Sequence, residues 1–251
     1  MTLTATDILN ILKVGRPVSI IRAGDGECQV LRSNESIDLY RGCIKNVMTR
    51  QMGYEPTMGD VDAIRQNLIT AYNNADIVGL PNHKQMDRLS DHWKLTEQTV
   101  KPYCTTQKFT YTDVAYDMLY NGMLDEWLMN KKRVVYIGCR DIDEGLKRRF
   151  NIGIVHSYII APEAKFTSGY SGLKHYPEQF NQMEWWMNAV PSYDGVPCIV
   201  GAGVIGKIYC NWFRDRGGVA FDIGAVMDLW AGFSTRGATR GLDTPDNRYK
   251  L

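Results

Sequence analysis

Apolar residues follow two rhythms along this chain: short β-branched runs that stop at glycine or charge, and longer stretches with apolar positions every three or four residues. The first rhythm predicts strands at Val18–Ile21, Ile77–Leu80, Arg133–Ile137, within Ile152–Ile160, at Val196–Val200 and in a run ending at Asp222. The second predicts helices over Asp7–Lys13, capped by Thr6 and stopped at Gly15, and over Glu27–Arg32. Further helices are expected at Val61–Asn74 behind Asp60, Met86–Val100, Asp113–Met129 and Glu178–Ala189. Strands that alternate with helices build parallel pairs, so the expected fold is a single Rossmann-like α/β domain with a mainly parallel sheet flanked by helices. We place that domain at 1–235 and a basic tail at 236–251, where Arg236, Arg240, Arg248 and Lys250 outnumber Asp243 and Asp246.

The chemistry gathers at the first strand. Gly24 and Gly26 end Val18–Ile21 in a tight turn and set Asp25 and Glu27 at the start of a helix. Free N–H groups at a helix start attract anions, while two carboxylates there repel a phosphate unless a divalent cation lies between them. Hard oxygen ligands two residues apart suit Mg²⁺ or Mn²⁺, and Arg22 adds a bidentate phosphate contact. The plainer alternative makes Asp25 and Glu27 helix caps that offset the dipole, with Arg22 as a surface partner.

Arg22-Ala23-Gly24-Asp25-Gly26-Glu27 resembles the signature of the GT-D glycosyltransferases, with Ala23 in place of the usual aromatic residue. A second segment, Ile199–Gly224, resembles that family's strand, small-residue turn, helix and strand ending in Asp-Ile-Gly; Ala225 follows where the family often has a polar residue. Ile160-Ala161-Pro162 and Phe166 are similar to a third family segment. The resemblance implies a metal-dependent transfer of a sugar from a nucleotide-sugar donor, a UDP-hexose, to an acceptor hydroxyl. Asp25 and Glu27 would hold Mn²⁺ or Mg²⁺, while Arg22 and the N–H groups of Gly24 and Gly26 meet the diphosphate. The acceptor would be a glycan or glycoprotein, or a hydroxymethylated DNA base, in a bacterial cytoplasm or that of a phage-infected host. Asp222 and Asp228 are candidates for the base that deprotonates it.

Gly201-Ala202-Gly203-Val204-Ile205-Gly206 supports a rival. It is a full G-x-G-x-x-G between a strand and a helix, with Asp222 at the spacing of a ribose-binding acid, and taken alone it predicts an NAD(P)-dependent oxidoreductase. Little chain follows Asp222 to complete a dinucleotide fold. In the transferase alternative, Gly201 and Gly203 lie against the donor nucleotide and Lys207 reaches a phosphate.

Whole-chain properties narrow the classes. The 251 residues, 44% hydrophobic and 23% charged, are those of an ordinary globular protein, and the formal charge of +1 gives no global pull toward nucleic acid or membrane. Six cysteines without a Cys-x-x-Cys pair suit a reducing cytoplasm, and four histidines without ligand spacing argue against a zinc site. No segment is long and apolar enough to predict a membrane span.

Other strand exits carry polar residues that an open parallel sheet aims at ligand: His83 and Lys84 after the second strand, Arg140 after the Arg133 strand. Arg41, Lys45 and Arg50 read as solvated surface. Trp185 and Trp186 lie roughly 100° apart around a helix, so only one of them can face the core.

Overall fold

The computed structural model describes residues 2–52, 55–81, 90–160, 174–189, 192–235 and 244–251. Helix α1 (Ala5–Val14) starts earlier than Thr6 because Thr4 and Asp7 form a reciprocal capping box, and Gly15 at φ 72° ends it. Thr57 and Asp60 do the same for α5 (Met58–Asn74). Between these helices lie β1 (Val18–Arg22), α2 (Asp25–Leu31), α3 (Ile37–Cys43) and α4 (Thr49–Met52). Then follow β2 (Ile77–Leu80), α6 (Ser90–Val100) and β3 (Phe109–Tyr111), a short strand that the apolar pattern does not announce.

The single helix expected over Asp113–Met129 is two, α7 (Val114–Tyr120) and α8 (Met123–Leu128), because Gly122 adopts φ 68° and breaks the ladder. The chain continues through β4 (Arg133–Gly138), α9 (Asp143–Phe150), β5 (Ile154–Ile159) and a π-helical turn at His175–Gln179 into α10 (Phe180–Ala189). It closes with β6 (Pro197–Gly201), α11 (Gly206–Arg214), β7 (Val219–Asp222) and α12 (Val226–Trp230). Two-residue strands β8 (Phe233–Ser234) and β9 (Thr244–Pro245) pair antiparallel, and the Leu251 N–H bonds the Trp230 carbonyl at 3.0 Å. His83, Lys84, Met86, Ala161, Pro162, Phe166, Arg236, Arg240 and Asp243 lie outside the described residues.

The seven-stranded sheet runs β3-β2-β1-β7-β6-β4-β5 with every pairing parallel. Both faces are covered, which is why β1 reads as a continuous apolar run. Ile20 joins the core beneath α1, α7, α8, α9 and α12, and Ile21 joins the opposite core beneath α2, α5, α10 and α11, each 1% exposed. Burying each contributes about 1.5–3 kcal/mol. The loops after β1 and β6 therefore turn to one face and those after β7 and β4 to the other. Adjacent strands whose exits diverge open a crevice at the carboxyl edge of a sheet. Trp185 is 73% exposed while Trp186 packs on Tyr158 and Tyr193, as their angular offset requires. Among the described residues, no helix is long and apolar enough to cross a membrane.

Candidate active site

Arg22 ends β1 and Asp222 ends the neighbouring β7, so both reach the carboxyl edge of the sheet together. The first turn of α11 brings Lys207 to them. Its ammonium, on a side chain 2% exposed, lies 2.6 Å from Glu27 Oε1 and 2.9 Å from Asp222 Oδ2, and it donates to the Gly203 carbonyl at 2.9 Å. Three oxygens of the chain thus lie within 2.9 Å of the ammonium, and Asp222 Oδ2 meets it as an ion pair without a hydrogen bond. Glu27 Oε2 accepts the Gly24 N–H at 2.8 Å, and Asp222 Oδ1 accepts the Gly224 N–H at 3.0 Å. The result is a buried group of two carboxylates and two cations.

Arg22 is the less completed of the two cations. Its Nη1 donates to the Thr112 carbonyl at 3.4 Å and its Nε lies 3.7 Å from Asp222 Oδ1, yet that buried Nε has no hydrogen-bond partner. Gly224, at φ 53°, leaves room for it, since a Cβ there would run into the guanidinium. Burial opposes the charges on Glu27, Lys207 and Arg22, and their partners outweigh burial. Lys207, then Arg22, hold the Glu27 carboxyl below its ordinary value; Asp222, then Glu27, hold Lys207 and Arg22 above theirs.

A second ion pair stands on the β4 side. Arg140 Nε meets Asp228 Oδ1 at 2.9 Å, Thr235 Oγ1 donates to Asp228 Oδ2 at 2.7 Å, and the guanidinium lies over the Phe233 ring at 4.9 Å. Between the two groups runs a cleft open to solvent on one side, whose lining includes Arg22, Lys207, Asp222, Gly201, Gly203 and Asp228. Gln51 and His175 also line it. Gln51 Oε1 accepts the Val204 N–H at 2.9 Å and so holds the turn in which Gly203 takes φ 58°. His175, 2% exposed, meets the Tyr209 hydroxyl through Nε2 at 2.9 Å, and burial pushes its pKa down to about 4.

A family model described as a GT-D fold-like domain matches residues 3–230. The chain belongs to that family. Membership in the GT-D-like family implies glycosyltransferase activity, and the match runs from α1 through α12 across the whole sheet. No curated protein and no solved structure matches the chain.

The GT-D-like turn departs in one respect from the expected use of Asp25 and Glu27. A shared Mg²⁺ or Mn²⁺ needs open oxygens from both, whereas Glu27 faces inward with one oxygen on the Lys207 ammonium and the other on a backbone N–H. Asp25 is half-buried in the first turn of α2 and is not part of the cleft lining. Among the described residues no group of three or more His, Cys, Asp or Glu gathers as a ligand set. As placed, the donors do not fit a divalent ion on Glu27, and no step below passes through one.

Other expected residues come together. Arg22, Lys207, Asp222, Asp228, Gly201 and Gly203 line one cleft, and Arg140 joins it through Asp228. Gly24 serves Glu27 through its N–H, and Gly26 packs near Val204 and Gln51. Asp222, the ribose acid of the dinucleotide alternative, holds Lys207 and the Gly224 N–H. Gln51, Thr112, His175, Met227 and Thr235 were not anticipated. None belongs to a recognisable motif; Gln51, His175 and Met227 line the cleft, while Thr112 and Thr235 bond Arg22 and Asp228 beside it.

Proposed function

We propose that this GT-D-like protein transfers a sugar from a nucleotide-sugar donor, a UDP-hexose, whose diphosphate lies in the cleft between the glycine turn after β6 and Arg22. The observation that supports this most directly is the buried Arg22 Nε without a hydrogen-bond partner, on a guanidinium that lines the cleft. An orphaned charged donor calls for an anion, and a planar guanidinium suits phosphate oxygens. The N–H groups of the turn around Gly201 and Gly203 add dipoles of the same sign.

In the reaction, the acceptor oxygen forms a bond to the sugar anomeric carbon as the bond from that carbon to phosphate oxygen breaks, and the electron pair leaves with the diphosphate. Arg22 meets the charge that develops there. The acceptor proton goes to a base in the cleft. Asp222 and Asp228, the carboxylates that line the cleft, are the candidates for that base.

Incubation with UDP-, GDP- and dTDP-sugars, with release of free nucleoside diphosphate as the readout, tests the reading. Release from one sugar nucleotide, lost in Arg22→Gln, supports it; tight NAD⁺ binding with no turnover of any sugar nucleotide would sink it. The acceptor is a glycan or glycoprotein if activity holds as salt is raised. A hydroxymethylated base in DNA predicts a steep fall instead, because phosphate contacts release counterions.

A further inference from the structure

We infer that Lys207 is a tethered replacement for a divalent cation: the ammonium fixed between Glu27 and Asp222 neutralises both carboxylates, and diphosphate binding is independent of added metal. The inference rests on the nucleotide-sugar reading above and assigns the electrostatics of that site to a residue.

The two carboxylates come from distant parts of the chain, the turn after β1 and the end of β7, and a single ammonium bridges them at 2.6 and 2.9 Å. Without it, Glu27 and Asp222 outnumber Arg22, and the floor of the cleft carries net negative charge that repels phosphate. With it, the floor is balanced, and the unpartnered Nε of Arg22 is left to attract an anion. Lys207 cannot yield its place to a metal ion at low cost. Its side chain is 2% exposed, with three oxygens within 2.9 Å of its ammonium. Its helix is held one turn further on, where Asn211 bonds Ser19 at 2.5 Å and the Ala71 carbonyl at 2.7 Å. A divalent ion near Glu27 would also lie against this fixed positive charge. Lys207 thus acts as a positioning residue: it orders the Gly203 turn and the carboxylates and makes no contact with phosphate itself.

The test compares calorimetric binding of UDP, GDP and dTDP, and the melting temperature, in EDTA and in millimolar Mn²⁺ or Mg²⁺. For the wild type we expect affinity within about twofold between the two conditions and an unchanged melting temperature, since only a ligand of the native state shifts it. In Lys207→Met the two carboxylates lose their bridge and become a metal site. Mn²⁺ should then raise the melting temperature of the variant and restore diphosphate binding that EDTA abolishes. Wild-type binding that needs Mn²⁺ overturns the role of Lys207 and leaves the nucleotide-sugar reading standing. A wild-type melting temperature raised by Mn²⁺ overturns it without any nucleotide. If no diphosphate binds in either condition, the nucleotide-sugar reading fails, and this inference with it. Should Lys207→Met not fold, the wild-type comparison alone decides.

Discussion

Helix α11 has two buried polar anchors one turn apart, and they end differently. Asn211, 5% exposed, reaches β1 at Ser19, where the Ser19 hydroxyl, the Ser19 N–H to Asp76 at 2.8 Å and the Asn211 amide to Ala71 all find partners. Lys207 reaches the other end of the same strand, beside Arg22, and there the group is made of full charges, with the Arg22 Nε donor and the Asp222 Oδ2 acceptor both without a hydrogen bond. The first arrangement is closed, and its neutral centre passes charge only at the rim, where Arg214 meets Asp76 at 3.1 Å. The second is open toward a cleft. A saturated network holds a fold together, whereas an unsatisfied charged donor in a cavity asks for a ligand.

The comparison breaks most visibly if the charged group is opened. Glu27→Ala removes a partner of the buried Lys207 ammonium and should destabilise the protein by about 3–5 kcal/mol, lowering the melting temperature by roughly 10 °C. Calorimetric melting checks this, and a loss under about 1 kcal/mol would mean that the group is hydrated and weak. The ionised group should persist from mildly acid to strongly alkaline pH. Its stability is present above the ordinary glutamate value of 4.5, where the lowered Glu27 is fully charged, and is lost as pH falls through that lowered value. On the alkaline side it is lost as pH rises through the raised value of Lys207, above 10.5.

His175 gives the next effect and titrates in a different window. Burial holds its folded value near 4 against an ordinary 6.5, so the unfolded chain binds more protons between them. The contribution is intact above about pH 6.5 and is lost as pH falls toward 4, by roughly 3 kcal/mol at most. Urea unfolding at stepped pH should show that slope in the wild type and a flatter one in His175→Asn.

Smaller changes separate the two anchors directly. Arg22→Gln should weaken diphosphate binding about 10- to 100-fold, the loss of one charged hydrogen-bonding group, and cost less stability than Glu27→Ala, because its ion pair with Asp222 is long and its side chain is 25% exposed. Asn211→Ala should do the reverse: about 1–3 kcal/mol of stability lost, with affinity unchanged. Parallel binding and melting measurements on both variants decide the matter. Equal losses on both axes would show that the two ends of α11 act as one unit.

The frame of this site is legible in the residues because its signals are local. A β-branched run, glycines at the turn and a strand–turn–helix around Gly201–Gly206 mark β1, α2, β6 and α11 without tertiary information, and β1, β6 and α11 supply cleft residues while α2 supplies Glu27 to Lys207. Lys207 was expected at a phosphate because the pattern shows it only beside the glycine turn. That Glu27 and Asp222 hold its ammonium depends on strand order, which puts β7 next to β1. Gln51 and His175 lie beyond local inference for the same reason. The α7–α8 break was written plainly in Asn121-Gly122, but apolar spacing runs through it and hides it. β3, three residues long at Phe109–Tyr111, is too short to show a period.

Asp25 carries the smallest expected effect and the sharpest test of the motif that includes it. In the fold, Glu27 turns inward to Lys207, while Asp25 stays half-buried in the first turn of α2, where its charge favours the helix N-terminus. Asp25→Asn keeps the shape and removes that charge, so it should lose only about 0.3–1 kcal/mol of stability. Diphosphate affinity should stay within about threefold, a change below roughly 0.7 kcal/mol. Glu27→Gln should lose far more on both measures, because it disturbs the balance around Lys207. If Asp25→Asn instead abolishes binding as fully as Glu27→Gln, the carboxylates act as a pair. A shared cation would then explain their spacing better than Lys207 does, and Glu27 would have to leave its lysine to bind it.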